Sequence, residues 1–547
     1  MTADLILTNA RAYTLDPAQP WAAAVACGGG RVLAVGDETA ISALAGPATR
    51  RIDCGGRLLL PGLTDAHVHF LQYAIRRRQV SLFGLTDPAA VRERIAAAVT
   101  AAAPGEWIVG WGWDSNRWDT PPSAALLDDL TPHNPVALAR MDMHTWWANS
   151  AAMRVAGVTA TTPDPIESHI GRDAAGQPTG LFSEWNAIAL IERHVPQPDE
   201  ATLAGRLRET IAEAHTLGIT GIHDQRVELE GAQSLRLFQT LRRAGELTLR
   251  VHCNIAADHL AEAARLGLQP GFGDDNLWLG HMKAFADGAM GSRTAHMLAA
   301  YDGEPDNTGI VVTPPDELWR LIVAAAEAGF PLSVHAIGDR AVREVLDVMS
   351  EWATARGATH KLPMPQRIEH VQLIHPDDMG RLAAHGLFAS VQPVHLQSDW
   401  RTADRVWDER ARTAYAFRSL LDRGTVLAFG SDAPVAPLNP MLGIHAAVTR
   451  QDTAGEPAGG WYSAERLTVA EAIEGYTRAP ARLSGKADRL GAIAPGFYAD
   501  LVVLSQDLFA IDPTTIPTTT AWLTIFNGRV VYAAEEEETT DFTDSTD

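Results

Sequence analysis

The chain has few cysteines, and their spacing excludes two kinds of cysteine-based framework. Only three occur in 547 residues, Cys27, Cys54 and Cys253. They lie far apart and form no C-x-x-C pair, so we expect neither a disulfide framework nor a cysteine metal cluster. A reducing compartment suits such a sequence, and we expect a cytoplasmic protein.

Positively charged residues are also few in comparison with acidic ones. Lys and Arg number 45 against 67 Asp and Glu, which gives a formal net charge of −22. Nucleic acid and anionic membrane surfaces are polyanions, so both are disfavoured as partners. Part of the acidic excess lies in EEEETTDFTDSTD, residues 535–547, for which we expect a disordered tail.

Long apolar runs are missing too. The sequence has no run of ~18 apolar residues, the length that a membrane-spanning helix needs. The N-terminal residues MTADLILTNARAYTLD contain no basic segment followed by an apolar core, so we expect no secretion signal. Hydrophobic residues nevertheless make up 46% of the chain, which is typical of a globular enzyme with a large core.

The two ends of the chain both consist of short apolar strands separated by glycine-rich turns. Residues 1–60 contain DLILTNARAYTL and RIDCGGRLLL, and residues 488–534 contain GAIAPGFYADLVVLSQ and WLTIFNGRVVYA. Two small separate sheets would be hard to stabilise, so we expect the ends to pair into one β-sandwich. The alternative is two unrelated β segments.

The middle of the chain, residues 61–487, alternates strand-like and helix-like runs. The strand-like runs are LTDAHVHF, GITGIHDQ, LTLRVHCNI, LWLGHMKAFADG, FPLSVHAIGDRA, PQRIEHVQLI, LFASVQPVHL and VLAFGSDAPV. Eight apolar strands in repeated β-then-α units predict an α/β fold, a (β/α)8 TIM barrel. A doubly wound open sheet is the alternative, but its G-x-G-x-x-G fingerprint is missing.

A long insertion, about residues 84–217, separates the first two of these strands. An insertion at a β-to-α connection lies at the C-terminal face of a barrel, where active sites form. The insertion is rich in tryptophan. We expect most of these side chains to pack its own core, and one or two, with Trp113 a candidate, to line an apolar pocket above the site.

Two histidines, His67 and His69, lie in the first strand. Side chains alternate across a strand, so both point the same way while Val68 points opposite. Two converging imidazoles suit a metal ion. The alternative is a strand that carries two surface histidines.

Single polar residues end four of the later strands: Lys283, His335, His370 and Asp432. Catalytic residues of a barrel come from the C-terminal ends of different strands, so these groups and the first two histidines should converge. The set exceeds what one zinc ion needs, which suggests two metals or one metal plus catalytic groups. Lys283 would be costly to bury as a cation but suits a neutral, reactive amine. We expect the other strand histidines to be hydrogen-bonded core residues: His223, His252, His281 and His395.

Taken together, these motifs resemble the amidohydrolase superfamily, in the branch of amidohydrolase family 3 that includes the N-substituted formamide deformylases. The matching segments are PGLTDAHVH, RDAAGQPTG, KAFADGAMGSRTA, VHAIGDRA, IEHVQ, FGSDAPV and LGAIAPGFYADLVVL. They span nearly the whole chain before the acidic tail. The resemblance implies a metal-bearing (β/α)8 barrel with a β-sandwich made from both termini.

The resemblance also implies a metal role for each histidine of the set. His67 and His69 correspond to ligands of the more buried metal ion. His335 and His370 correspond to ligands of the second ion.

The remaining site residues are implied in the same way. Lys283 occupies the place of a carboxylated lysine that bridges two ions, and Asp432 that of an aspartate that binds metal and shuttles protons. Some relatives use another bridge, so Glu184 is a reserve candidate for the bridging carboxylate. His144 and Arg293 are weaker candidates for substrate contacts, with a buried hydrogen bond or a structural ion pair as the alternative.

The chemistry of such a site predicts the reaction. Two divalent ions, zinc with manganese or iron as alternatives, would lower the pKa of bound water toward ~7 and make hydroxide available. Hydroxide would attack the carbonyl carbon while Asp432, with His370 or His335 in reserve, moves a proton to the departing nitrogen. We predict hydrolysis of a non-peptide C–N bond, an amide or N-formyl group, in a small apolar or aromatic substrate.

Two other functions stay open. The same site could hydrolyse a lactone, a carbamate or a cyclic amide, or the chain could be a catalytically silent relative that acts as a binding protein. The complete set of six polar positions disfavours a silent copy. We expect a small-molecule substrate, no nucleic-acid or membrane partner, and a homo-oligomer, a dimer.

Overall fold

The computed structural model describes residues 2–85, 87–115, 118–225, 231–356 and 362–534. The predicted acidic tail, residues 535–547, lies outside the described residues. None of the helices in the described ranges has both the length and the apolar character needed to cross a bilayer.

The first sixty residues form short strands, as predicted. In chain order these elements are β1 (Ala3–Thr8), β2 (Arg11–Tyr13), β3 (Trp21–Ala22), β4 (Ala24–Gly28), β5 (Arg31–Gly36), α1 (Glu38–Ser42), β6 (Ala45–Asp53) and β7 (Leu58–Pro61). Strands β1, β4, β5 and β6 make a four-stranded sheet in the order β5-β4-β1-β6.

The first barrel strand follows directly as β8 (Leu63–Val68), with α2 (Phe70–Arg76) after it. The elements of the insertion are β9 (Val80–Ser81), α3 (Pro88–Ala101), β10 (Ile108–Trp113), α4 (Ala125–Asp128), β11 (Val136–Arg140), β12 (Thr145–Ala148), α5 (Ser150–Ala156), β13 (His169–Arg172), β14 (Pro178–Ser183) and α6 (Trp185–Glu192). Its strands form a separate six-stranded sheet, which the sequence did not predict.

The remaining barrel elements run from α7 (Glu200–Thr216) to the last helix. They are β15 (Ile219–Asp224), α8 (Gln233–Arg243), β16 (Arg250–Ala256), α9 (Leu260–Arg265), β17 (Leu277–Phe285), α10 (Pro315–Glu327), β18 (Leu332–Ala336), α11 (Asp339–Arg356), β19 (Arg367–His370), α12 (Arg381–Ala384), β20 (Phe388–Val391), α13 (Leu396–Trp407), α14 (Phe417–Leu421), β21 (Leu427–Phe429), α15 (Pro440–Thr449), α16 (Val469–Gly475) and α17 (Arg478–Leu483).

The eight predicted barrel strands form one parallel sheet in the order β21-β20-β19-β18-β17-β16-β15-β8. Almost every residue of these strands is buried, as in a parallel sheet covered on both faces. The two end strands meet where the Asp432 backbone N–H donates to the His67 carbonyl at 2.7 Å. A Cβ atom on Gly430 would lie 2.4 Å from the His67 backbone nitrogen, so this closure requires glycine.

The C-terminal strands are β22 (Leu501–Leu504), β23 (Ala521–Phe526) and β24 (Arg529–Ala533). Strand β22 pairs antiparallel with β7, so both termini contribute to one six-stranded sheet in the order β24-β23-β22-β7-β2-β3. An apolar core that includes Leu5, Val25, Leu59 and Val503 joins this sheet to the N-terminal one. The predicted fold, a (β/α)8 barrel with an insertion after its first strand and a β-sandwich from both ends, is confirmed.

Candidate metal centre

The first strand brings its two histidines to the same end of the barrel. His67 lies in β8, whereas His69 is one residue beyond the strand and precedes α2. His67 Nδ1 lies 2.6 Å from Glu369 Oε2. Because a carboxylate only accepts, His67 donates from Nδ1 and its Nε2 carries a lone pair.

Asp432 follows β21, the strand at the opposite edge of the eight-stranded sheet from β8. Its side chain faces both histidines. Its Oδ1 lies 3.3 Å from His67 Nε2 and 3.2 Å from His69 Nε2. The His67 nitrogen has no proton to donate, so two electron-rich atoms face each other. Such a pair is stabilised by a cation placed between them.

His370, at the end of β19, completes this group. Its Nδ1 lies 2.8 Å from Gln392 Oε1, so Nδ1 donates and Nε2 is available as a ligand. One potential ligand atom from each of His67, His370 and Asp432 lies within 4.8 Å of the other two. All three side chains are buried.

His335, in β18, lies beside His370 with its ring centroid 4.5 Å away. Its Nε2 donates to the Gly288 carbonyl at 2.9 Å, and Asp287 Oδ1 lies 3.5 Å from the same nitrogen. A neutral imidazole that donates from Nε2 has an unprotonated Nδ1. His335 therefore offers a nitrogen that can bind a metal.

Lys283, in β17, is 2% exposed. Its Nζ lies 4.5 Å from the centre of the Phe285 ring, and burial lowers the pKa of its amine to about 8. In the part of the chain that the structure describes, three buried polar atoms of this group have no hydrogen-bond partner: His67 Nε2, Lys283 Nζ and Asp432 Oδ1. The unsatisfied acceptors of this set fit a divalent cation.

The backbone at the site is held in the left-handed region. His370 has φ 70°, Val371 φ 44° and Asp432 φ 58°. Non-glycine residues in sparsely populated backbone regions cost of order 1–3 kcal/mol each and persist only where surrounding contacts enforce them. At these three positions the strain coincides with the point where side chains of different strands must converge.

A buried network around Glu369 supports the site from below. Arg367 pairs with Glu369, and Ser333 Oγ donates to Glu369 Oε1 at 2.7 Å. Burial opposes ionisation, but the Arg367 guanidinium holds the pKa of the Glu369 carboxyl well below its usual range. Glu369 therefore remains a carboxylate that orients His67.

Sequence reasoning missed several of these supporting residues. Glu369 directly precedes His370 in IEHVQ, and Gln392 stands in the next strand-end segment, SVQPVH. His395, predicted to be a core residue, lines the cavity with Nε2 4.0 Å from Asp432 Oδ2. His223, His252 and His281 are buried, as expected; His223 and His281 are also hydrogen-bonded, but the expected hydrogen bonds of His252 are missing among the described residues.

The site opens into a cavity between the barrel end and the insertion. Its apolar wall includes Met143, Trp146, Trp185, Ile188 and Phe285. The cavity also reaches the side chains of all six predicted metal-site residues, His67, His69, Lys283, His335, His370 and Asp432. The insertion thus covers the polar site with these apolar side chains and with charged ones, among them Asp114, Arg140 and Asp142.

Trp113, a candidate for the cavity wall, lies elsewhere. Its indole is 1% exposed, donates to the Leu138 carbonyl at 2.8 Å and packs 5.8 Å from the Trp147 ring. The Trp113 side chain therefore fills the core of the insertion. The structure does not support a contact between Trp113 and a substrate in the cavity.

The other candidate residues have separate positions. His144 lines the cavity, and its Nδ1 lies 3.0 Å from Glu184 Oε2. Burial opposes protonation of His144, but the Glu184 carboxylate raises its pKa to about 9. Glu184, with φ 65°, is thus engaged by His144. Arg293 forms an ion pair with Glu304 and does not itself line the cavity, although its backbone N–H donates to the carbonyl of Met290, which does.

Comparison with known proteins places this geometry in a family. The sequence model of the amidohydrolase family matches residues 50–532. The chain is 34% identical to the Arabidopsis thaliana protein LONG AFTER FAR-RED 3 over 93% of its own length and 88% of that protein. It is 29% identical to an N-substituted formamide deformylase from Arthrobacter pascens over 92% of its own length and 94% of that enzyme.

A solved structure also resembles this chain over most of its length. An uncharacterized metal-dependent hydrolase from Pyrococcus horikoshii superimposes with a TM-score of 0.75 at 25% identity, covering 93% of this chain and 99% of that one. Family membership and this neighbour indicate a hydrolase that uses a divalent metal. The chain belongs to the amidohydrolase family.

Proposed function

We propose that the protein hydrolyses the C–N bond of an amide or N-formyl group in a small apolar or aromatic molecule. The observation that carries this proposal is the convergence of ligand atoms from His67, His370 and Asp432 within 4.8 Å of one another. The similarity to a formamide deformylase supports the choice of bond.

The residues at the barrel end fit two metal ions. We assign His67 and His69 to one ion and His335 and His370 to the other, with a carboxylated Lys283 as the bridge. Imidazole with carboxylate oxygen suits zinc, with manganese and iron as alternatives. A bound divalent ion would lower the pKa of water and polarise the substrate carbonyl.

Asp432 is our candidate for the proton carrier. A divalent cation held by His67 and His69, whose Nε2 atoms lie 3.3 and 3.2 Å from Asp432 Oδ1, would keep this carboxyl ionised. An ionised carboxylate is ready to accept a proton from the attacking water and to deliver it to the departing nitrogen. His335 and His370 line the same cavity and are the reserve groups for this transfer.

The apolar wall supports the substrate class. Trp146, Trp185 and Ile188 line the cavity and would contact the apolar part of a substrate. The three cysteines are buried and unpaired, which supports the cytoplasmic location that we propose. A dimer remains a prediction that sedimentation analysis would test.

The experiment is turnover of a panel of N-substituted formamides and amides by zinc-, manganese- or iron-reconstituted protein. We expect benzyl- or phenyl-substituted formamides to be hydrolysed and small polar amides to react poorly. Hydrolysis confined to lactones or carbamates, or no turnover by folded metal-loaded protein, would contradict the proposal.

A further inference from the structure

Arg76 is a buried cation on the cavity wall whose side chain has no acceptor among the residues that the structure describes. It is the last residue of α2 and is 6% exposed. Among the described residues its guanidinium donates no hydrogen bond, and no carboxylate oxygen lies within 4.0 Å of it. Trp111 Nε1 donates to its backbone carbonyl at 3.1 Å. The backbone of Arg76 is therefore held in place, while the donors of its guanidinium have no partner in the described part of the chain.

An unpaired buried guanidinium is costly, because it gives up its hydration without gaining hydrogen bonds. Natural structures seldom leave such a group without an acceptor. An acceptor supplied by a ligand would offset this cost in the bound state. Arg76 therefore points to a ligand group rather than to a structural ion pair.

Glu192 stands near it as a second group without a partner in the described ranges. It is the last residue of α6 and is half-buried, and its carboxylate accepts no hydrogen bond from the described residues. Burial raises the pKa of Glu192, and the charge of Arg76 opposes that change. Arg76 and Glu192 affect each other's pKa but form no ion pair with each other. A space therefore separates the guanidinium, a hydrogen-bond donor, from the carboxylate, an acceptor.

The pair stands where the catalytic cavity meets a neighbouring groove. Gln72, Arg76, Trp146 and Glu192 line both spaces. The groove continues between α2 and the insertion, past Gln79 and Val109. A molecule that extends from the metal site into the groove passes between Arg76 and Glu192.

The surrounding charges favour a neutral ligand group. Arg140, the other guanidinium on this wall, is already paired with Asp114 at 3.0 Å and with Asp142 at 2.6 Å. A carboxylate between Arg76 and Glu192 would be repelled by Glu192, and an ammonium group would be repelled by Arg76. A group with one acceptor and one N–H donor satisfies both.

We propose that Arg76 and Glu192 form a subsite that binds a neutral amide-type group, a carboxamide or ureido group, remote from the bond that is cleaved. Arg76 donates to the carbonyl oxygen of this group and Glu192 accepts from its N–H. The inference rests on the proposed function in that it places this group on the substrate of the same cavity. It narrows the substrate to an elongated molecule with a second amide-type function.

The test is calorimetric titration of the zinc-loaded protein with three matched probes, which does not depend on turnover. The probes are 3-phenylpropanamide, the methyl ketone 4-phenylbutan-2-one, and 3-phenylpropanoate. We expect Arg76→Met and Glu192→Met each to weaken binding of the amide by about 10-fold or more, the scale of a hydrogen bond to a charged group. The ketone should lose affinity only in Arg76→Met, and 3-phenylpropanoate should bind more tightly in Glu192→Met.

Arg78→Met is the matched control, because Arg78 is exposed and already paired with Glu209. It should leave all three affinities unchanged. The inference would be overturned if all three probes lost affinity equally, or if both folded variants bound the amide as tightly as the wild type. It would also be overturned if Arg76→Met weakened binding of 3-phenylpropanoate alone. If this binding pattern appears while no formamide is hydrolysed, the proposed function fails and the subsite stands.

Discussion

Glu369 Oε2 lies 2.6 Å from His67 Nδ1, although 302 positions separate the two residues in the chain. The contact fixes which nitrogen of His67 carries the proton and leaves Nε2 directed at Asp432. Glu369 does not line the cavity, yet its contact with His67, which does, determines which nitrogen of His67 can bind a metal ion.

We expect Glu369→Gln to lower metal affinity and turnover by about 10–100-fold, the usual effect of removing a hydrogen-bond partner from a metal ligand. The substitution also unbalances the buried Arg367 charge, so unfolding should require less denaturant. Metal titration and denaturant unfolding measure the two effects separately. Ser333→Ala is the control, because it removes one hydrogen bond to Glu369 and leaves the carboxylate in place. Metal affinity equal to that of the wild type in Glu369→Gln would contradict the orienting role.

Lys283→Ala should abolish turnover, because the bridge that we propose between two metal ions would be lost. A short carboxylic acid added to this variant should restore part of the activity by occupying the vacated space. Glu184→Ala should keep its metal, since Glu184 is engaged by His144. If Lys283→Ala instead keeps its metal and turnover while Glu184→Ala loses both, the bridge belongs to Glu184.

Asp432→Asn should separate proton transfer from metal binding. The amide keeps an oxygen for weak coordination but cannot accept a proton, so turnover should fall by at least ~10²-fold. Metal content, measured on the same preparation, should largely remain. Undiminished turnover would show that another group moves the proton, with His370 and His335 the first to test.

Removal of residues 536–547 should leave melting temperature and turnover nearly unchanged. The segment is so charged and so poor in apolar residues that burial could not offset the entropy lost on ordering it. A scan of thermal unfolding beside an activity assay tests this. A large loss in either would indicate that the tail docks onto the rest of the chain.

Much of the fold could be predicted because its signals are local. The apolar runs that became β15 to β21 stand out against the helical periodicity between them, and the polar residues Lys283, His335, His370 and Asp432 mark their ends. Parallel barrel geometry then brings those ends together without any knowledge of side-chain contacts.

What could not be predicted depends on contacts between distant segments. Nothing in IEHVQ indicates that Glu369 reaches back to His67, and nothing in SVQPVH separates His395, which lines the cavity, from a core histidine. Trp113 and Trp146 belong to the same tryptophan-rich insertion, yet only the second lines the cavity. Which tryptophan faces the site is set by the insertion's own sheet, whose pairing the local pattern does not reveal.

Metal content of the folded wild-type protein, measured by elemental analysis after purification without chelators, tests the central claim most directly. We predict about two divalent ions per chain, zinc in the first instance, because the donor set exceeds the needs of one ion. The His67→Ala and His370→Ala variants should each retain less metal than the wild type. Fully folded wild-type protein that contains no transition metal and takes none up on reconstitution would contradict the account.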